Sequence, residues 1–175
     1  MNPIPIDFDY FDLLSIMGVA HSRNIIKVAH GVRSKRVDDN QTDFENHING
    51  VMGEAGVARF LKLKLDKRLS LSGDDKIKDF IKDNKTIQVK TCLVKGDYKN
   101  LFFPNKEDFR ADLSILLSIK SLTSVLIEGW ITREDFLNKA KQTILGKNKP
   151  AVWAVSNQNL TEPNKLLEYF KIWTI

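Results

Sequence analysis

Two runs in this chain, Ala111 to Ile119 and Ser124 to Ile131, are apolar almost continuously rather than at every second position. A strand with one wet face alternates, whereas a near-continuous apolar run belongs to a strand covered on both faces. The two runs therefore predict neighbouring strands in the interior of a layered domain. With 175 residues, 42% of them hydrophobic, the chain is long enough to build one such domain around its own core.

The flanking patterns supply candidate layers. Thr42 with Glu45 three residues on makes a capping box, and Ile48, Val51, Ala55, Ala58 and Leu61 follow at helical spacing, which predicts a helix from about Asp43 to Leu63. Lys76 to Lys82 alternates, with Ile77, Asp79 and Ile81 on one face, and Thr86 to Cys92 alternates, with Gln88 and Lys90 on one face. Asp83-Asn84 between them tolerates positive φ and suits a two-residue hairpin turn. A charged loop is expected around residues 95 to 110. A helix should start at Thr132, with Asp135 as its capping partner, and stop at Gly146. A strand at Ala151 to Val155 and a helix opened by Thr161 and Pro163, running to about Lys171, close the chain. Residues 8 to 20 and 22 to 32 have helical spacing interrupted by Gly18 and Gly31, so residues 1–41 read as a helical N-terminal appendage on a core of residues 42–175. The expected class is α/β, a central mixed sheet flanked by helices.

Within this frame a few polar residues stand where apolar ones belong. Glu54 falls between Val51, Ala55 and Ala58, at or beside the helix face that must be buried. It is either a boundary acid paired with a cation or a ligand. Asp79 shares a face with Ile77 and Ile81, where an unpaired charge is costly. Gln88 and Lys90, two apart, share a face of the partner strand. A hairpin would let Asp79, Gln88 and Lys90 converge at one end of the sheet. Carboxylate and neighbouring oxygens that hold Mg²⁺, beside an ammonium that orients or activates water, suit phosphodiester hydrolysis. The plainer reading of the same residues is a salt bridge between Asp79 and Lys90 at a sheet edge.

The stretches Gly53-Glu54-Ala55-Gly56-Val57-Ala58-Arg59-Phe60-Leu61, then Asp79, then Ile87-Gln88-Val89-Lys90-Thr91, resemble the PD-(D/E)XK nuclease superfamily, over roughly residues 42 to 172. The resemblance implies a restriction-endonuclease-like core. It also implies Glu54, Asp79, Gln88 and the Val89 carbonyl as ligands of Mg²⁺ or Mn²⁺, and Lys90 at the water. Two departures stand out: Lys78 replaces the motif's proline, and the neutral Gln88 replaces its acid, as in Mrr-like restriction nucleases. Asp74-x-Lys76, Asp83-x-Lys85 and Asp97-x-Lys99 also match the pattern, but only Gln88-x-Lys90 lies inside an apolar strand. The expected activity is metal-dependent DNA endonuclease, of restriction, repair or mobile-element type. The alternative is a nuclease-fold module that binds nucleic acid or a protein without cutting. Enzymes of this kind commonly cut both strands as homodimers, so the resemblance also suggests a second copy as partner.

Charge placement agrees with a polyanionic partner. The net charge is +5, and His21 to Arg36 holds Arg23, Lys27, Arg33, Lys35 and Arg36 without an acid. Lys139 to Lys149 holds four lysines and again no acid. Arg23, Arg33, Lys35, Arg36, Lys139 and Lys141 are the candidate phosphate contacts, although a solvated face explains either run equally well. One cysteine, Cys92, excludes an internal disulfide, and no apolar run is long enough to span a bilayer, so a cytoplasmic protein without a membrane role is expected. His21, His30, His47 and Cys92 lack zinc-ligand spacing, with His47 a candidate substrate contact. Asp112 reads as a strand cap before it reads as a metal ligand, and Trp130, Trp153 and Trp173 read as core.

Overall fold

A computed structural model describes residues 2–31, 42–67, 78–93, 99–145 and 149–172. The elements are β1 (Ile4–Asp7), α1 (Tyr10–Ala29), α2 (Asp43–Phe60), β2 (Phe80–Lys82), β3 (Lys85–Leu93), β4 (Asn100–Phe103), β5 (Leu113–Ser121), β6 (Ser124–Thr132), α3 (Arg133–Lys139), β7 (Lys141–Ile144), β8 (Ala151–Ser156) and α4 (Pro163–Tyr169). They form a mixed α/β structure. Five strands make a mixed sheet in the order β1-β6-β5-β3-β2, and three make an antiparallel sheet in the order β4-β8-β7. Only β3 and β5 run parallel within the larger sheet.

The near-continuous apolar runs are explained by what covers each face of β5 and β6. Leu113, Ile115 and Leu117 point into a core shared with α1, α2 and α4, through Ile16, Val51, Val57 and Leu166. Leu116 and Ile131 point the other way, into a second core with Leu101 and Phe103 of β4, Phe136 of α3 and Val155 of β8. Helices thus cover one face and the small sheet with α3 covers the other. Phe103, Phe109 and Phe136 pack ring to ring at centroid separations of 4.8 to 5.2 Å in the second core, the offset and edge-on contacts aromatics favour.

Local signals account for much of the chain's punctuation. Thr42 and Glu45 form the reciprocal capping box of α2. Asp83 and Asn84 take φ of 47° and 60°, the two consecutive left-handed residues that a tight β2–β3 hairpin requires. Thr132 caps α3 through Asp135, and Pro163 opens α4.

Several boundaries differ from the sequence expectation. The stretch expected as a charged loop contains β4, whose Leu101 and Phe103 are buried against β8. The helix expected to run to Gly146 ends at Lys139; Ala140 turns to extended backbone and Lys141–Ile144 pairs with β8 as β7. Cross-strand pairing outweighs a weak helical pattern that ends in β-branched Thr143 and Ile144. Gly146 itself lies outside the described residues. Gly18 does not interrupt α1, which is one helix of 20 residues. The N-terminal stretch also does more than append a helix: β1 pairs antiparallel with β6, and Phe8, Ile16, Val19 and Ala20 are core residues.

Candidate active site

The β2–β3 hairpin is short. Its ladder runs only from Lys82–Lys85 to Phe80–Ile87, and the last backbone bond is the Asp79 amide donating to the Ile87 carbonyl at 2.8 Å. Beyond Ile87 the β2 side of β3 has no ladder partner among the described residues, and Asp79 stands where the two strands part. Its carboxylate reaches across the fork, and the Val89 amide donates to Asp79 Oδ2 at 2.7 Å. The acid that sequence placed within a strand therefore sits immediately before one.

Period-two alternation then divides β3. Val89 and Thr91 face α2, with Val89 packed in the first core. Gln88, Lys90 and Cys92 face the small sheet: Lys90 Nζ lies 4.6 Å from the centre of the Phe103 ring, and Cys92 packs on the second core. Burial lowers the Lys90 pKa below the usual lysine value, opposed by the fields of Asp79 and Asp108. Gln88 Oε1 is buried with no hydrogen-bond partner among the described residues. The Gln88 main chain is anchored by the Ser114 hydroxyl, which donates to its carbonyl at 3.0 Å.

Glu54 arrives from α2, which approaches β3 closely because Gly53 has no side chain: a Cβ there would lie 1.9 Å from Thr91 Oγ1. Arg23 of α1 meets Glu54 in a bidentate pair, Nη1 donating to Oε1 at 2.7 Å and Nη2 to Oε2 at 2.8 Å. Nη2 also donates to the Asp66 carbonyl at 3.4 Å. Burial acts to lower the Arg23 pKa, but Glu54, aided by the fields of Asp79 and Asp66, more than offsets it and leaves the value raised. Asp79 thus acts electrostatically on Arg23 and on Lys90, so the fork lies between a guanidinium–carboxylate pair and a desolvated amine.

The sequence-selected residues are accordingly divided in their settings. Asp79, Gln88, Val89 and Lys90 are gathered at the fork, and Glu54 is tied to the same charge network through Arg23. Arg23, chosen for phosphate contact, is committed to Glu54, with 19% of its side chain exposed. Arg33, Lys35, Arg36 and Trp173 lie outside the described residues. Lys139 and Lys141 are exposed, Lys139 with a loose 3.5 Å pair to Asp135. His47 is partly buried in α2, and its pKa is lowered by desolvation and by Lys27 and Arg23. Asp112 is structural: its Oδ2 accepts from the Thr86 amide and hydroxyl, both at 2.7 Å, and these bonds lower its pKa.

A second polar group escaped sequence reasoning. Glu128 of β6 is 1% exposed and accepts from Lys99 Nζ and from the Ser118 hydroxyl. It occupies a register shift between β5 and β6, where Leu116 opposes Gly129 and Leu117 opposes Ile127. The signal was present, a single acid in the otherwise apolar run Val125–Trp130.

Among the described residues no three or more His, Cys, Asp or Glu side chains gather as a metal site, and no helix is long and apolar enough to cross a membrane. The donors at the fork are instead carboxylate, amide and carbonyl oxygens, hard donors of the type Mg²⁺ takes. The buried, unpartnered Gln88 Oε1 fits such an ion, since a desolvated acceptor with no donor otherwise carries a cost. No family model, curated protein or solved structure matches this chain.

Proposed function

We propose that the chain is a metal-dependent endonuclease that hydrolyses DNA phosphodiester bonds, built on a restriction-endonuclease-like core, with its site at the β2–β3 fork. The observation that carries this reading is the buried Gln88 Oε1 without a hydrogen-bond partner among the described residues, one residue from the Val89 amide that Asp79 holds and two from Lys90. Asp79 and Gln88, with the Val89 carbonyl, would hold Mg²⁺ or Mn²⁺, and Glu54, on the α2 side of β3, would join them only by leaving its pair with Arg23. When bound, the ion polarises the phosphoryl oxygens and makes water a better nucleophile at neutral pH.

The chain's own residues do the rest. Lys90 has its charged form disfavoured by burial, so Nζ is suited to accept a hydrogen bond or a proton from the attacking water. Phe103 covers the amine and limits water around it. Attack forms one P–O bond to the water oxygen and breaks one P–O ester bond, and the proton leaves with the departing oxygen. Arg23 fixes Glu54 in place and offsets its charge. Exposed Lys139 and Lys141 supply phosphate contacts, and Arg33, Lys35 and Arg36 remain candidates for the same role.

One observation favours the alternative, a nuclease-fold module that binds without cutting: both Glu54 oxygens already serve Arg23. The deciding test incubates the protein with supercoiled plasmid and with branched and single-stranded oligonucleotides, in Mg²⁺, Mn²⁺ or EDTA. The enzyme reading expects metal-dependent cleavage that falls by about 10² to 10⁴ in Lys90→Ala and disappears in Asp79→Ala. Intact substrates together with a gel shift would install the binding module instead.

A further inference from the structure

Both Glu54 oxygens accept from the Arg23 guanidinium, at 2.7 and 2.8 Å, so the pair that joins α1 to α2 puts a cation where a metal ion would take the same carboxylate. The pair is not sealed from solvent: 19% of the Arg23 side chain and 14% of the Glu54 side chain remain exposed. Its third contact, Nη2 to the Asp66 carbonyl at 3.4 Å, is long for a hydrogen bond. Lys27, one turn further along α1, makes no ion pair among the described residues. Its charge acts together with that of Arg23 on His47 of α2. Two cations of α1 therefore stand at the seam with α2.

A planar guanidinium offers a phosphodiester the same two-bond fork that it offers a carboxylate. A phosphate arriving at this seam can thus replace Glu54 bond for bond, and Lys27 adds to the field that draws it there. Arg23 is also the cation whose field Glu54 and Asp79 share. Drawing the guanidinium away leaves both carboxylates without it, and a divalent cation supplies the missing charge.

We infer that Arg23 is a substrate-gated latch on Glu54: a DNA phosphate takes the guanidinium, and the carboxylate it releases joins Asp79 at the fork. The latch rests on the nuclease reading of that site. Linkage gives it a reciprocal consequence, since DNA that raises metal affinity by some factor requires that metal raise DNA affinity by the same factor. A pair that only staples α1 to α2 behaves differently. In a staple, loss of either partner weakens whatever the protein binds; in a latch, loss of one partner frees the other.

The test uses a Lys90→Ala parent, so that the DNA is not consumed, with circular dichroism to confirm that each variant folds. Anisotropy reads the binding of a fluorescent duplex in Mn²⁺ and in EDTA at matched ionic strength, and titration calorimetry reads Mn²⁺ binding to the DNA-free protein. The parent should bind the duplex about tenfold more tightly in Mn²⁺ than in EDTA. Arg23→Gln should bind Mn²⁺ about tenfold more tightly without DNA, and its duplex affinity should no longer depend on the ion. Glu54→Gln should bind the duplex more tightly in EDTA, because Arg23 is then free for phosphate. Equal duplex affinity of the parent in Mn²⁺ and EDTA, or folded variants that show neither gain, overturns the latch. If Arg23→Gln does not fold, the parent and Glu54→Gln decide. Plasmid cleavage by the protein with its native Lys90 separates the latch from the site: metal-dependent cutting without these gains keeps the nuclease reading and removes the latch. Protein that neither cuts nor binds Mn²⁺ in any variant overturns the fork as a metal site, and the latch with it.

Discussion

At the scale of single residues, Gln88 bears most on the chemistry. In the proposed site it would supply an amide oxygen where the motif it resembles has a carboxylate, leaving one charge fewer beside the Arg23–Glu54 pair. If Gln88 Oε1 is a ligand, restoring the charge should tighten metal binding, since affinity rises with the number of charged ligands. Gln88→Glu is expected to raise Mn²⁺ affinity by about tenfold in titration calorimetry, and Gln88→Leu to weaken it without lowering the melting temperature. Equal affinity in all three proteins would remove Gln88 from the ligand set. Cys92, two residues beyond Lys90 on the same face, should be inert. Burial, with the field of Glu128, pushes its thiol up from 9.0 to about 11. Alkylation depends on the thiolate, so at pH 8 iodoacetamide should react roughly a hundredfold slower with folded than with unfolded chain. Comparable rates in the two states would contradict that burial.

At the scale of elements, the site depends on how closely α2 lies on β3. Thr91 Oγ1 would be 1.9 Å from a Cβ at position 53, with Thr91 Cβ at 3.2 Å. Gly53→Ala should therefore lift the helix that carries Glu54 and cost about 1–3 kcal/mol, the usual range for overpacking. Thr91→Ala removes the clashing hydroxyl, so the double variant should recover part of the loss in a urea-melt cycle; strict additivity would argue against the contact. Much of this was legible beforehand, because α2 announces itself through Thr42 and Glu45, the hairpin through Asp83-Asn84, and β5 and β6 through nearly continuous apolar runs. Those signals are local. What stayed hidden was decided at a distance: Arg23 reads as a cation in a basic run until Glu54 lies beside it, and β4 reads as part of a charged loop until β8 pairs with it. Alternation marks Asp79 as an unusual acid, but its place at the parting of two strands depends on where the β2 ladder begins, which alternation does not determine.

At the scale of the whole molecule, the five-stranded sheet is a partition between two cores, and its polar residues on the small-sheet side are placed where the two layers meet. The Lys99–Glu128 pair is the clearest case, 12% and 1% exposed, with Ser118 donating to the same carboxylate and Asn157 Nδ2 3.5 Å from its other oxygen. It ties the approach to β4 to the shifted register in the middle of β6. Such a pair contributes little over apolar residues of similar volume, yet breaking it leaves a buried charge uncompensated. The two partners are not equivalent here, because Lys99 retains more access to water than Glu128. Lys99→Met is therefore expected to cost about 3–5 kcal/mol in denaturant unfolding, the range for an orphaned buried charge. Glu128→Gln should cost less, since the amide oxygen still accepts from Ser118. Combining Lys99→Met with Glu128→Leu should return most of the stability, because the charge is removed along with its partner. If the double variant is no more stable than Lys99→Met, the pair contributes to how the two layers fit together, beyond compensating its own charge.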